Sequence, residues 1–463
     1  MRYEPPPHGF RTFLIVWFTQ SLSVFGSALT LFATTIWLTQ VRYAHPVQQQ
    51  QLALAVTAVS IAHSLPILMA APVAGAWADR HDRKKTMMAM DFINGCLSLI
   101  LFLLIAGNRL ELWMLLCIVT LSSFVSSFHV SSFDTSYAMI VSDELLPRAN
   151  GMMQTIYDLS TVLSPAIAAT IISLPTLARQ GVLPAGMSVM LSRLSDGTAL
   201  AIGIDAATYF LAALTLVFLT VPSPRRSDLR TEGAGAPLIK SYWADITQGA
   251  NFIWRRRPLV WLLLAFTVAN FLGTPLFVFQ PLLVKFNLAT DWFRHGFTFY
   301  TALAFMNSFS SLGGVVGGLA VSAWGGLKRR RIYGVLVPMI AAAACEIIYG
   351  LSALFYLSVA MIFIIGIAIT VMNTHTQSIW QSQTPRELQG RVFAVRRLVT
   401  RLTGPVGTAL AGWVGGMFNP GLVLALMGTA FLVLSISNLF NRTLLRVEDG
   451  EFAKQVDTTR VRA

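Results

Sequence analysis

The chain has 463 residues, of which 55% are hydrophobic and 12% are Asp, Glu, Lys or Arg, roughly half the charged fraction of an ordinary soluble domain. That balance excludes a water-soluble globule and leaves little chain for a separate soluble domain. The net charge of +13 does not point to nucleic acid, because no basic, aromatic-bearing soluble face accompanies it.

In chain order, breaks in the apolar pattern mark twelve spans: Phe13–Leu38, Leu52–Ala78, Thr86–Gly107, Leu112–Phe133, Met152–Leu174, Ala199–Val221, Leu259–Val284, Gly296–Trp324, Ile332–Leu351, Leu354–Trp380, Val392–Phe418 and Leu422–Phe440. Each is near or above the ~20 residues that cross the hydrocarbon of a bilayer. The predicted fold class is therefore an all-α membrane protein with twelve transmembrane helices. The first run is too long for the apolar region of a cleavable leader and has no convincing cleavage site, so it is expected to be retained. Cys96, Cys117 and Cys345 lie in separate apolar runs, which argues against a disulfide framework.

With the amino terminus inside, the outer connections carry only Arg42, Arg109, Arg179, Arg193, Lys285 and Arg294 out of 34 basic residues. The remaining basic residues fall on the inner side, and the opposite orientation would invert this bias. Both termini are thus expected in the cytoplasm. Between Pro222 and Pro258 the composition turns to Pro, Ser, Arg and Gly, giving a predicted organisation of 1–221 as a first bundle, 222–258 as a cytoplasmic linker, 259–443 as a second bundle and 444–463 as a tail. Within the linker, Tyr242–Trp254 has helical apolar spacing and reads either as a membrane-surface helix or as a flexible tether. An internal repeat supports two halves. Gly75-Ala76-Trp77 ahead of Arg83-Lys84-Lys85 echoes Ser322-Ala323-Trp324 ahead of Lys328 to Arg331. Leu146-Pro147-Arg148 with Gly151 and Pro165 likewise echoes Thr384-Pro385-Arg386 with Gly390 and Pro405. Parallel six-helix repeats are a transporter signature.

The charged cassette Gly75 to Lys85, wedged between two spans, fits the pattern Gly-x-x-x-Asp-Arg-x-Gly-Arg-Arg through Gly75, Asp79, Arg80, Arg83 and Lys84, with Asp82 in the usual glycine place. Ala78 to Lys84, Ala149-Asn150, and Pro385-Arg386-Glu387-Leu388-Gln389-Gly390-Arg391-Val392-Phe393 carry a further likeness. On these motifs the whole chain resembles the macrolide and siderophore exporter branch of the major facilitator superfamily. The resemblance implies two six-helix pseudo-symmetric bundles, alternating access, and a gating role for the cassette. Physically, Gly75 permits close helix approach and Asp79 offers an acceptor to a helix amino terminus or an arginine. The basic residues Arg80, Arg83, Lys84 and Lys85 read either as part of that gate or as a positive anchor.

Ionisable residues inside spans are costly, by roughly 2.5 to 3.5 kcal/mol on insertion scales, and need interior, wet or paired positions. Asp158 lies ten residues past Arg148, about 15 Å of helical rise, and is the first candidate for proton coupling; a satisfied structural carboxylate is the alternative. Asp134, near the inner end of the fourth span, and Glu346, expected to snorkel or pair, are the others. Asp91 and Asp205 match acidic positions of the branch on spans that are usually peripheral in this fold, so they are expected to serve structural pairing. Arg397 matches a family arginine on the eleventh span, and Arg401 is deep enough to demand a partner, with Asp79 as one candidate. The superfamily usually lines its cavity with the first, fourth, seventh and tenth spans, which nominates Gln20, Ser23, His129, Asn270, Phe277, Asn373, His375 and Gln377; helix-packing glue is the alternative for each. Their weakly charged mixture suits a bulky amphipathic solute. Ser27 stands where the branch often has aspartate, and Leu163 to Ala169 resembles the exporter Gly-Pro-x-x-Gly-Gly motif only weakly.

The implied function is proton-coupled efflux of a drug, macrolide or siderophore from the bacterial inner membrane. An uptake permease or lysophospholipid flippase of the same fold is the alternative. No Gly-x-x-x-x-Gly-Lys-Ser/Thr run and no His-Glu-x-x-His spacing occurs, so neither an ATP-driven pump nor a metalloenzyme is read here. The expected partners are a small-molecule substrate, protons and the bilayer, with no cofactor, no metal, no nucleic acid, and a monomeric chain.

Overall fold

The computed structural model describes residues 9–142, 145–192, 194, 196–220, 238–327, 329–385 and 388–449. Within these the chain is helical, and it groups into two compact units: 1–235 with 295–308, and 236–294 with 309–463.

The first unit contains α1 (Gly9–Ile36), α2 (Gln49–Arg80), α3 (Arg83–Ala106), α4 (Leu112–Ile140), α5 (Leu146–Arg179), the short α6 (Ala185–Leu191) and α7 (Thr198–Phe218). Helix α7 packs against both α1 and α3, α4 against α2 and α3, and α5 against α1. Val16, Met87, Phe133, Met153 and Leu216, one from each of α1, α3, α4, α5 and α7, form a common buried cluster. The Asp82 side chain accepts the Lys85 amide at 3.0 Å and caps α3, a local reason for the sharp α2–α3 corner.

In the remaining chain are α8 (Leu238–Trp254), α9 (Arg257–Gly273), α10 (Pro275–Leu282), α11 (Ala289–Arg294), α12 (Phe299–Trp324), α13 (Tyr333–Leu351), α14 (Phe355–Gln383), α15 (Gln389–Met417), α16 (Pro420–Leu439) and α17 (Arg442–Leu445). Helix α13 packs on α14 and α16, and α15 on α8 and α9. Of the two readings for Tyr242–Trp254, the helix is observed. Ile253 is 3% exposed inside the second unit's core, and Gly249 backs onto the main chain of Arg391 and Val392, so this stretch is no tether.

Among the described residues, eleven helical runs are long and apolar enough to cross a membrane. The one predicted span missing from these, the eleventh, corresponds to α15, long enough at 29 residues, with its apolar character diluted by Arg391, Arg396, Arg397 and several glycines. The seventh span differs from its expectation. It breaks between α9 and α10, because Pro275 has no amide hydrogen to continue the ladder and its ring obstructs the preceding turn. A π-helical turn, Leu283–Asn287, then carries it to its end.

Within the second unit, α14 reaches α12 through Gly366, where a β carbon would overlap the Ser310 carbonyl oxygen and crowd the Gly314 amide. Backbone so placed cannot yield as a flexible side chain would. Gly366→Ala is therefore expected to cost about 1 to 3 kcal/mol, read as a lowered Tm in detergent. Gly404→Ala, whose β carbon meets nothing described within 4 Å, should not lower it.

Candidate functional site

The first unit encloses a cavity of about 450 Å3 lined by α1, α2, α3, α4, α5 and α7. Two carboxylates line it. Asp205 on α7 is 2% exposed and accepts hydroxyl hydrogens from Thr30 at 2.8 Å, Ser98 at 2.8 Å and Ser27 at 3.3 Å. Ser27 also lies 2.9 Å from the Tyr209 hydroxyl. Gly26 allows this approach: a β carbon there would fall 2.9 Å from the Asp205 carboxylate oxygen. Burial penalises a charged carboxylate, and the ring of donors offsets part of that penalty.

Asp91 on α3 is fully buried. Its Oδ2 accepts the Gln20 side-chain amide at 2.8 Å, while its Oδ1 lies 3.2 Å from His129 Nε2. The latter geometry is a close charge contact rather than an aligned hydrogen bond. A second patch on α3 and α4 joins Ser122 to the Asn94 oxygen at 2.8 Å and Asn94 to Ser126 at 3.4 Å. Across from it, Ser123 Oγ lies 3.3 Å from His63 Nδ1. The cavity thus presents two proton-binding groups in contact, a separate saturated carboxylate, and many hydroxyls over apolar walls.

The second unit holds a smaller cavity, about 180 Å3, lined by Asn270, Thr274, Phe277, Glu346 and Asn373 among apolar side chains. Glu346 is 3% exposed and has an Oε1 with no hydrogen-bond partner among the described residues. It neither snorkels to water nor pairs, contrary to expectation, because α13 places it against α14 and α16 rather than toward an interface.

Other predicted residues are placed as follows. Ser23 lines the first cavity and donates to the Thr208 carbonyl at 3.2 Å. Asp134 is exposed on α4, five residues beyond His129. His375 is buried and fixes a turn, with Nε2 accepting the Leu327 amide at 3.0 Å and Nδ1 donating to the Val371 carbonyl at 2.8 Å. Gln377 accepts from Arg396 at 2.6 Å, so neither His375 nor Gln377 belongs to the lining of the two cavities. Arg397 is exposed. The side chains of Asp79, Arg80, Asp158 and Arg401 lie outside the described residues. In the cassette, Gly75 meets nothing described within 4 Å of a β carbon. Arg83 is buried and donates to the carbonyls of Ala78 and Thr135 at 3.1 and 3.2 Å, while Lys84 donates to that of Val217 at 3.1 Å. These two basic residues grip the carboxyl ends of helices, where the helix dipole favours cations, and so do more than anchor the chain at a membrane face.

A family profile described as Major Facilitator Superfamily matches residues 16–408. The chain belongs to the major facilitator superfamily. Macrolide efflux protein A of Streptococcus pyogenes is 23% identical over 426 residues, covering 92% of this chain and 94% of that protein. The enterobactin exporter EntS of Escherichia coli O1:K1 / APEC is 22% identical over 376 residues, covering 79% and 77%. A crystal structure of a bacterial homologue of the human lysosomal transporter Spinster matches with a TM-score of 0.61 at 16% identity, over 96% of this chain and 95% of that one, a likeness of fold alone. As a major facilitator protein the chain is a multi-pass bacterial membrane transporter, with a small-molecule substrate and the bilayer as its partners.

The sequence nominated Gln20, Ser23, His129, Asn270, Phe277, Asn373, His375 and Gln377 for one cavity; the first three line the larger cavity, and Asn270, Phe277 and Asn373 line the smaller one together with Glu346. Sequence reasoning underrated Asp91 and Asp205, which are structurally paired, as expected, but also line the larger cavity. The available signal was the serine-rich face of the fourth span, Ser122, Ser123 and Ser126, which needs polar neighbours on the third and sixth spans. Asp205→Ala is expected to strand the Thr30 and Ser98 hydroxyls and lower stability by about 3 kcal/mol, against about 1 kcal/mol for Ser98→Ala. Thermal unfolding of both purified variants checks this, and equal small losses would remove Asp205 as the hub.

Proposed function

We propose that the chain is a secondary active exporter of bulky amphipathic small molecules, driven by the proton gradient across the bacterial inner membrane, with both termini cytoplasmic. Relatives named for macrolide efflux and enterobactin export support the direction. The observation that carries the coupling is the contact of Asp91 with His129 and Gln20 inside the larger cavity. Asp205 has both carboxylate oxygens already engaged by hydroxyls. Asp91 and His129 are the proposed exchange pair: with no proton between them, Gln20 still satisfies one carboxylate oxygen, and a polar group of the substrate can take the other. Of the earlier coupling candidates, Asp134 stands as an exposed relay near this pair, and Asp158 retains its position one residue past the cavity-lining Tyr157. The cassette is proposed to act in gating by releasing and re-forming the Arg83 and Lys84 contacts with helix ends.

In everted vesicles, accumulation of a macrolide, a catecholate siderophore or an amphipathic dye is expected when the lumen is acidified, and to collapse on adding nigericin. Asp91→Asn should abolish the pH dependence of flux while leaving the protein folded. An unchanged pH profile in that variant would refute the coupling assignment alone. Absence of accumulation for every solute under either gradient direction would refute the exporter reading itself, and accumulation with the opposite polarity would favour uptake.

A further inference from the structure

Glu346 takes no part in the coupling cluster. Its carboxyl is buried at 3% exposure, yet it lines a cavity and leaves Oε1 without a hydrogen-bond partner among the described residues. An uncompensated charge there is costly, so the group either keeps a proton or meets a cation. The helices packed on α13 bring no internal cation: α16 carries no charged residue, and the titratable residues of α14 are Tyr356 and His375, the latter held by Leu327 and Val371. On α13 itself the other titratable groups are Tyr333, Cys345 and Tyr349. The segments that complete the cavity, α9 and α10, have Arg257 at their start and Lys285 just beyond their end. None of these lines the cavity, where Glu346 is the one charged side chain among the described lining residues.

What does line it selects among cations. Asn270 and Asn373 offer amide oxygens, and Phe277 offers an aromatic face, which attracts ammonium groups. Ala269, Leu276, Ile365, Ile369, Met372 and Phe431 form apolar walls. A small inorganic cation wants six or more converging oxygens, which this lining does not supply. A volume of about 180 Å3 also exceeds what a lone ion fills.

The geometry points to a binding site in the second unit for the ammonium group of an organic amine carrying apolar substituents, with Glu346 as its counter-ion. The solute class it adds, cationic amphiphiles, rests on the transporter reading above, whereas binding itself needs no gradient. Protons oppose the amine at this site, because a neutral Glu346 offers it no charge. Amine affinity therefore falls as pH is lowered.

The test is equilibrium binding of benzyltrimethylammonium to the purified full-length protein in lipid nanodiscs. Saturable binding is expected that weakens on acidification and is not displaced by sodium at the same concentration. Glu346→Gln should weaken it by at least about thirtyfold, the smaller end of the effect of removing one partner of a buried charge pair, and should erase the pH dependence. In the unmodified protein, a hydrophobic carbodiimide should label Glu346, and the amine should protect it, as read by peptide mass spectrometry; this needs no variant to fold. Unchanged affinity in Glu346→Gln, displacement by sodium, or labelling of Glu346 undiminished by saturating amine would each overturn the assignment. Binding without gradient-driven flux would leave the site standing and count against the exporter reading instead.

Discussion

Hydrocarbon offers a side chain no hydrogen-bond partner, so every polar or charged group carried into a membrane span has to be answered from within the protein. In the first unit that demand organises the interior. Asp205 draws hydroxyls from α1 and α3, and Asp91 draws an amide from α1 and an imidazole from α4. These contacts tie α1, α3, α4 and α7 through their polar faces, while the shared cluster of Val16, Met87, Phe133, Met153 and Leu216 ties the same helices and α5 through apolar ones. The cavity exists because hydroxyl and amide side chains are short: they satisfy the carboxylates without filling the space between helices.

The same constraint acts at the membrane face with the opposite sign. The last carbonyls of a helix have no intrahelical partner, and where helix ends converge they need donors. Arg83 and Lys84 supply them to Ala78 and Val217, and Arg83 also reaches the Thr135 carbonyl in the last turns of α4, joining α2, α4 and α7 at the α2–α3 corner. Trp77 adds a stacked contact with His81, ring centroids 3.7 Å apart, and donates to Thr86 at 3.2 Å. A corner built from donor–carbonyl contacts can be exchanged for water when helices shift, which a packed apolar corner cannot do without exposing surface.

Much of this was legible in the chain. Span positions follow from hydropathy, and the observed helices start and end within a few residues of them apart from the seventh span, which Pro275 splits, and the facing ends of α4 and α5, which run on beyond the apolar pattern to Ile140 and from Leu146. The cassette and the repeat were legible because charged corners recur at fixed spacing. The interiors were less so. Which face of a helix meets which neighbour depends on long-range packing that hydropathy does not encode, so Asp91 and Asp205 read as merely structural, and His375 read as a cavity residue although one ring nitrogen is spent on the α12–α13 turn and the other on the Val371 carbonyl of its own helix. Asp205 could be reached only by knowing that α7 lies against α1 where Gly26 makes room.

The two repeats also diverge where their interiors are concerned, and composition explains how. Helices α1 and α3 carry Gln20, Ser27, Thr30 and Ser98, and α4 carries His129, so the carboxylates of this half find partners at once. At the cavity of the second unit, α14 presents Ile365, Ile369 and Met372 with Asn373 as the polar exception. A carboxyl placed beside such a wall keeps an oxygen unanswered, as Glu346 does. Repetition preserved the charged corner sequences, which the membrane face dictates to both halves alike. It left the polar filling of each half free to vary, and that filling, rather than the shared architecture, sets the chemistry that each cavity presents.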